Sequence, residues 1–466
     1  MTLGSDIGAV GGFFVGTFQG LVNALGQRVP IDVMPLPVGP VGDVLDPRNE
    51  DQRIGARVME DFVDGLLGTR HQVSPQAARA TRPLLATARI EGAGPAGVTS
   101  LRFDADAPGC DWAIASRAAA VVAVYVDGRY HSSVVVQHER TGGYAINLGA
   151  LPAGQHEVEL RAATDLVGPA VALPTVAGVR AEQLTGEQAW IDAHAPIVEM
   201  MSTDPGAARS VATHGAPVLM IPAVTRHPDG SKTVEYRVLF THEEGGTTDP
   251  DLFARHGRAV DSEYMYRVTV DANGTIVDEQ YQSAIHKWHA FTGTREQGRP
   301  VLRVSTPNHM FSDSYHGVDR ERWSASCTPA LTAEQSEYST MLANPWTWQL
   351  MAKELRRGGN IALEDAVRGV RQIADPSRYA YLDSMSPAVR DAAIAAGRIE
   401  FVLRDGRHVT SATPKGFGSG YFARAAVELP AGVGAGDVRS VVLAGVKALV
   451  FDDALLPREL ELLTAA

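Results

Sequence analysis

Hydrophobic and polar residues alternate along much of this chain with the two-residue period of β-strands. Over residues 82–172, the run AVVAVYVDGRYHSSVVVQ holds two segments rich in β-branched residues joined at Asp127-Gly128, which predicts a β-hairpin. The following run, GGYAINLGALPAGQHEVELRA, predicts two more strands. We expect residues 81–180 to form a jelly-roll or immunoglobulin-like β-sandwich that acts as a spacer, binds a sugar or packs on a partner domain.

The pattern changes twice further along the chain. Residues 187–330 form a second β-rich block, and residues 331–398 have helical spacing, with Ser386-Pro387 as a helix start. Residues 399–466 return to strands, with a hairpin at Asp405-Gly406, and we expect them to complete the second domain. The predicted fold class is therefore mainly β with helical segments (α+β), containing two β-sandwich-like domains.

The first 27 residues have a different pattern of residue types. No charge occurs between Ile7 and Leu25, and glycines recur every four positions from Gly4 to Gly20. On a helix this spacing aligns the glycines along one ridge, which lets another backbone approach closely. We expect this glycine-ridged helix to pack on its own protein or on a neighbouring subunit, which predicts a homo-oligomer; membrane contact through residues 7–25 is the alternative. Residues 28–80 predict a proline-rich connector followed by a helix.

Composition excludes some partners. The formal net charge is −12, which argues against a nucleic-acid partner, because such proteins present a basic face. Two cysteines, Cys110 and Cys327, are too few for a disulfide framework or a four-thiolate zinc site; they could form one disulfide or stay reduced. The first residues, MTLGSD, lack the basic start of a secretory signal, so we expect a cytoplasmic protein.

Candidate chemistry concentrates between His194 and His316, where nine of the fourteen histidines lie. In the predicted strand DSEYMYRVTV, alternation places Asp261 and Glu263 on one face together with Arg267, and Tyr264 on the other. Two carboxylates so placed repel one another and raise each other's pKa. A cation between them would remove that cost, and so would Arg267 or His256.

Histidines at the ends of neighbouring strands extend this candidate site. His286 and His289 are three residues apart and would face opposite ways on a strand, and His286 is nearer the strand end. His309 lies where the strand RPVLRVST ends, at the rim of a sheet. We expect Trp288 and Tyr264 to form a pocket wall, with Arg267 beside them as a third substrate-binding residue.

Residues 232–312 resemble, in the order and spacing of their motifs, the family that includes Vps62-like proteins and necrosis-inducing NPP1-type proteins. The matching pieces are His256, then Asp261-Ser262-Glu263-Tyr264, then YQSAIH ending at His286, then RPVLRV leading to Asn308-His309. No tryptophan lies between Asp261 and Glu263, and the loop after His256 is longer than in the family. NPP1-type members hold a divalent cation with acidic and histidine side chains, so the resemblance implies a metal role for Asp261, Glu263, His309 and His256.

Two functions follow from these patterns. The first is a metal-dependent hydrolase or lyase acting on a glycan, lipid or ester, with a divalent cation of unknown identity on Asp261, Glu263 and His309, and with His256 or His286 as the catalytic base. The second is a non-catalytic binding or assembly protein that uses its β-sandwich surfaces and the N-terminal helix. A metal-free acid–base cleft and a purely structural polar network also remain open for the same residues.

Overall fold

The computed structural model describes residues 74–463, apart from 201–214, 242–246, 314–320, 363–371, 418–423, 452–456 and gaps of one or two residues. Strands predominate and helices are few, which confirms a mainly β fold with helical segments. The predicted glycine-ridged helix and nearly all of the connector lie outside the described residues. Among the helices that are described, none is both long and apolar enough to cross a bilayer.

The first seven strands belong to two sheets that enclose a common core. β1, β6, β3 and β4 are neighbours in one sheet, and β5, β2 and β7 form the other. Both contribute to one apolar cluster that includes Leu101, Val122 and Ile146. The hairpin predicted at Asp127-Gly128 is confirmed, with both residues at the positive φ that a tight turn needs. The strands are β1 Leu84–Gly92, β2 Val98–Asp106, β3 Ala120–Val126, β4 Arg129–Val136, β5 Gly142–Gly149, β6 Gly154–Ala162 and β7 Thr175–Leu184, preceded by helix α1 Pro75–Ala78.

The middle of the chain builds a six-stranded sheet and also enlarges the first sheet. The six-stranded sheet has the order β13-β12-β11-β10-β9-β18, while β17, β8, β15 and β14 continue from β4, with β16 beside β15, to give a nine-stranded sheet. The nine-stranded sheet therefore takes strands from both predicted β blocks. The elements are α2 Gly186–His194, β8 Ile197–Glu199, β9 Pro217–Arg226, β10 Lys232–Phe240, α3 Asp249–His256, β11 Ser262–Val270, β12 Ile276–Gln282, β13 Trp288–Ala290, β14 Arg295–Glu296, β15 Arg299–Val304, β16 Phe311–Ser312, β17 Arg322–Trp323 and β18 Ser326–Cys327.

The C-terminal part forms two four-stranded sheets, β22-β19-β24-β25 and β21-β20-β23-β26, around a separate apolar cluster. The segment expected to be helical contains three described helices and also β19, a fully buried strand with the sequence YAYLD. The predicted helix start at Ser386 and the hairpin at Asp405-Gly406 are confirmed. The elements are α4 Glu337–Ala343, α5 Trp346–Arg357, β19 Tyr379–Asp383, α6 Pro387–Ala396, β20 Arg398–Leu403, β21 His408–Ala412, β22 Ala425–Glu428, β23 Val438–Val442, β24 Lys447–Phe451, β25 Pro457–Glu459 and β26 Glu461–Leu463.

An aromatic cluster joins α4 and α5 to the β19 sheet. The Trp348 side chain is 1% exposed, and its ring centre lies 5.2 Å from those of Tyr338 and Tyr381 and 4.6 Å from that of Phe451. Four packed rings bury a large apolar area at one junction. This junction holds α4, and with it the charged residue Glu337, against the rest of the structure.

We predict that Trp348→Ala lowers the free energy of unfolding by about 3–5 kcal/mol, because the truncation leaves a cavity among the rings. Denaturant unfolding measures the change. Ile394→Ala on α6 is the control: this side chain is 48% exposed, and its loss should change stability by no more than about 0.5 kcal/mol. Equal effects of the two substitutions would contradict the packing argument.

Candidate acid–base and metal site on the six-stranded sheet

The site lies where β11 begins, beside the loop that follows β15. In that loop, His309 has a positive φ of 48° and donates its backbone N–H to the carbonyl of Thr306 at 3.1 Å. Its ring stacks on Phe240 of β10, with ring centres 4.0 Å apart and planes within 7°. Loop and stacking together fix the direction of the imidazole.

A buried imidazole–carboxylate pair forms the inner end of the site. His309 Nδ1 lies 2.7 Å from Asp261 Oδ2, and both side chains are 2% exposed. A ring nitrogen that donates to a carboxylate leaves the other nitrogen as an acceptor or ligand. That second nitrogen, His309 Nε2, is buried and has no hydrogen-bond partner among the described residues. Asp261 thus orients His309 from one side only.

Glu263 continues the chain of polar groups outward. Its carboxyl hydrogen-bonds to that of Asp261, which requires a proton between the two groups. Burial and the neighbouring Asp261 raise the pKa of Glu263 well above its usual range, while the nearby Arg258 opposes the shift. His286 Nδ1 lies 3.6 Å from Glu263 Oε2, and the His286 side chain is 52% exposed. The order from solvent to core is therefore His286, Glu263, Asp261, His309.

Alternation correctly placed Asp261 and Glu263 on one face and Tyr264 on the other, but it is wrong for Arg267, which lies on the side of Tyr264. The Tyr264 ring lies edge-on to Trp288 with centres 6.4 Å apart, and the Arg267 guanidinium lies 4.5 Å from the centre of the same ring. A β-bulge explains this arrangement, because Tyr236 and Arg237 on β10 oppose Tyr266 and Tyr264 on β11. The extra β11 residue between them shifts the alternation by one position.

The three predicted substrate-binding residues are consequently neighbours. Arg237 lies 4.4 Å from the centre of the Tyr264 ring and extends the contact, giving the order Arg237, Tyr264, Trp288, Arg267. All four side chains are partly exposed. We call this row the cation–aromatic ladder; stacking of each guanidinium on a ring stabilises both. His289, by contrast, packs beside Tyr281, with ring centres 6.0 Å apart.

His256 lies in a different group of charges. It is the last residue of α3, and burial together with Arg258 and Arg424 lowers its pKa to about 4. His256 is therefore neutral at pH 7. The charged groups that act on His256 are Arg258, Arg424, Glu337 and Arg255.

Three arginines surround the buried carboxylate of Glu337. Arg424 Nη1 lies 2.9 Å, Arg237 Nη1 3.5 Å and Arg258 Nε 3.7 Å from its oxygens, and the side chain of Glu337 is 2% exposed. These cations lower the pKa of Glu337 to about 2 despite its burial. We call Glu337 and its three arginines the Glu337 cluster.

Arg258 connects the Glu337 cluster to Asp261 and Glu263, which we call the acid pair. Its guanidinium donates to the carbonyls of Val260 and Ser262, the residues on either side of Asp261. Sequence reasoning missed this connection, because Glu337 and Arg424 lie far along the chain from Arg258 and no local pattern marks them. The only local signal was Arg258 itself, a basic residue shortly before the predicted strand that begins at Asp261.

Asp261, Glu263 and His286 are the side chains available to a divalent cation at this site. Among the described residues, no group of three or more His, Cys, Asp and Glu side chains has the arrangement of a ligand set. The chemistry of these side chains nevertheless suits a divalent cation. Two carboxyls share a proton that a cation would replace, and the imidazole of His286 is a third metal-ligating group nearby. The fit requires Glu263 to lose its proton.

Comparison of the chain with families of known proteins, with characterised proteins and with solved structures finds no match. The resemblance of residues 232–312 to the Vps62-like and NPP1-type family therefore stays a prediction.

We predict that Glu337→Gln lowers the free energy of unfolding by about 3–5 kcal/mol, because it leaves buried arginines without their shared counter-ion. Glu235→Gln is the matched control: Glu235 pairs with Arg237 at 3.3 Å but is 24% exposed, so its loss should cost under about 1 kcal/mol. Denaturant unfolding of both variants at pH 7 makes the comparison. A smaller loss for Glu337→Gln than for Glu235→Gln would refute the role of the cluster.

A second prediction concerns pH. A carboxyl whose pKa is raised in the folded state stabilises the fold fully below its unfolded pKa, about 4.3, and this contribution is lost as pH rises through the folded pKa. For metal-free protein, we expect the free energy of unfolding to fall with pH across that window. Glu263→Gln should remove this part of the pH dependence. Parallel pH profiles for the two proteins would show that Glu263 ionises normally.

Proposed function

We propose that this protein is a metal-dependent hydrolase or lyase acting on a glycan, lipid or ester. The observation that carries the proposal is the buried Asp261–Glu263 acid pair, two carboxyls in contact with a proton between them and an imidazole at each end, His309 beside Asp261 and His286 beside Glu263. Maintaining two acids in this position costs stability. Such a cost is typical of sites that bind a ligand or perform catalysis.

We call the row His286, Glu263, Asp261 and His309 the polar chain. The position of each residue in it suggests a different role. Asp261 and Glu263 would hold the divalent cation, and His286, at the exposed end, would be the third donor or would take a proton from a bound hydroxyl or water. His309 is buried behind Asp261 and would fix the orientation of its carboxylate, a positioning role that replaces the direct metal contact expected from the sequence. A bound divalent cation would supply Lewis-acid polarisation of the substrate or of water.

The substrate would lie at the exposed end of the polar chain, beside His286. The cation–aromatic ladder lies on the face of β11 opposite Glu263 and would meet the substrate through Trp288, two residues after His286; its rings and guanidiniums offer both stacking and hydrogen-bond donors. Tyr264, Trp288 and Arg267 would contact the substrate there. We place His256 outside the catalytic set, because its neighbours are the charges of the Glu337 cluster.

The second candidate is the non-catalytic binding or assembly protein. The ladder favours it, since a row of partly exposed rings and cations can recognise a ligand without chemistry. Under either function we keep the homo-oligomer and the cytoplasmic location as expectations from the sequence. We also infer that the two sheets around the core of Leu101 and Val122 form the sandwich expected for residues 81–180.

Metal binding is the first test. We expect Mn²⁺, Zn²⁺ or Ca²⁺ to bind in calorimetric titrations with release of a proton from Glu263, and with an affinity that rises with pH because that proton must leave. Asp261→Asn and Glu263→Gln should abolish binding, whereas His289→Gln, a change at an exposed histidine outside the polar chain, should preserve it. Metal binding that is unchanged in the Asp261→Asn variant would contradict the proposed metal site.

Turnover separates the two functions. A metal-loaded protein that cleaves members of a panel of esters and glycosides, and loses this activity with a chelator, supports the enzyme. Ligand binding that depends on Trp288 and Arg267, with metal bound and no turnover of any panel member, supports the binding protein instead.

A further inference from the structure

A small cavity with several charged and hydroxyl groups on its wall lies apart from the acid pair, between the nine-stranded sheet and the strand that holds Cys327. Its volume is about 60 Å³. Its wall includes His131 and Ser132 of β4, Asp192 of α2, Arg299 of β15, Arg322 of β17 and Cys327 of β18. None of the residues of the acid pair or of the ladder lines it. The cavity is therefore independent of the proposed catalytic site.

Arg299 carries a buried positive charge on this wall. The residue is 7% exposed, and its guanidinium donates to the carbonyls of Ala195 at 2.8 Å, Asn147 at 3.1 Å and Pro196 at 3.3 Å. A guanidinium has five N–H donors, so these bonds leave two. No described carboxylate forms an ion pair with Arg299. Burial lowers its pKa to about 10, which still leaves it charged at pH 7.

Two carboxyls, those of Asp192 and Glu296, also lie on the wall, but neither forms an ion pair with Arg299 among the described contacts. Arg322 is a cation that is already paired with Glu199 at 3.2 Å and Glu296 at 2.7 Å. Asp192 accepts a hydrogen bond from Gln188 and attracts Arg299 without contacting it; burial raises the pKa of its carboxyl, and the charge of Arg299 opposes that shift. A buried cation without a paired anion is costly, and an anion in the adjoining space removes that cost.

The neutral part of the wall offers hydroxyl groups. Ser132 Oγ lies 2.9 Å from His131 Nδ1 and 2.7 Å from the hydroxyl of Ser324, another residue of the cavity wall. Burial and the positive charges of Arg299 and Arg322 lower the pKa of His131 to about 3, so the imidazole is uncharged. Neutral hydroxyls beside a guanidinium are suitable partners for the oxygens of an anion.

We propose that this cavity binds a small oxyanion, with Arg299 as the charged partner and Ser132 and Ser324 as hydroxyl partners. At about 10–15 Å³ for each water-sized group, the space suits about four to six non-hydrogen atoms. Inorganic phosphate, sulfate and short carboxylates such as acetate or glycolate have this size. The shared chemistry is a compact group of oxygens with one or two negative charges.

Cys327 is a built-in reporter of occupancy. No disulfide links it to Cys110, which lies in the core of the first two sheets, so a Cys110→Ala protein has one thiol, on the cavity wall. We measure the rate of Cys327 modification by a small neutral thiol reagent with added phosphate, sulfate, acetate, glycolate or chloride at matched ionic strength. An anion that occupies the cavity should slow the reaction about tenfold at ten times its dissociation constant.

Substitutions on the cavity wall test which side chains bind the anion. Arg299→Gln should abolish protection, and Arg299→Lys, which keeps the charge but not the fork of donors, should weaken it. Ser132→Ala and Ser324→Ala test the site without touching the three carbonyl contacts of Arg299, and each should reduce protection. Ser312→Ala, at a serine outside the cavity wall, is the control and should leave protection unchanged.

Two results overturn the proposal: equal rates with every oxyanion and with chloride, or protection that is unaffected by Ser132→Ala, Ser324→Ala and Arg299→Gln alike. Protection by phosphate and sulfate but not by carboxylates assigns a tetrahedral oxyanion, and the reverse result assigns a carboxylate. Metal binding at the acid pair is measured separately, so failure of one proposal leaves the other standing.

Discussion

The shared counter-ion of Glu337 is the constraint on which the candidate site depends. Three guanidiniums from three separate parts of the chain converge on one buried carboxylate. Removing charges from water is costly, and only close, multiple contacts repay that cost. The cluster therefore fixes α4, the turn before β11 and the segment before β22 in one relative position, and the aromatic packing of Trp348 holds α4 there from the other side.

This constraint explains how an acid pair can persist on the neighbouring strand. Arg258 belongs to the Glu337 cluster and also donates to the carbonyls on either side of Asp261. The backbone that carries Asp261 is thus held by a residue whose own charge is already paired. Because Arg258 cannot move freely toward Glu263, it only partly offsets the unfavourable burial of that carboxyl. The proton between Asp261 and Glu263 relieves the repulsion of the two carboxyls, and a cation that binds there must displace a proton that is held more tightly than in an ordinary carboxyl.

Much of the fold could be predicted because strand alternation and turn sequences are local. The hairpins at Asp127-Gly128 and Asp405-Gly406 and the helix start at Ser386 depend on a few adjacent residues. The bulge in β11 could not be predicted in this way, since it depends on the register of β10, and it reversed the expected side of Arg267. β19 was also missed, because a short apolar run gives no period that separates a buried strand from a helix.

The candidate site was predictable only in part, for a related reason. Residue types and strand ends indicated Asp261, Glu263, His286 and His309, but their order from solvent to core depends on stacking of His309 on Phe240 and on the position of a loop. The contrast between Arg258 and Arg299 shows why such order matters. Both guanidiniums are buried and both bind backbone carbonyls, yet Arg258 has a carboxylate beside it and Arg299 faces a cavity. The first is part of the scaffold, whereas the second has charge and donors left for a ligand, and sequence alone does not distinguish the two.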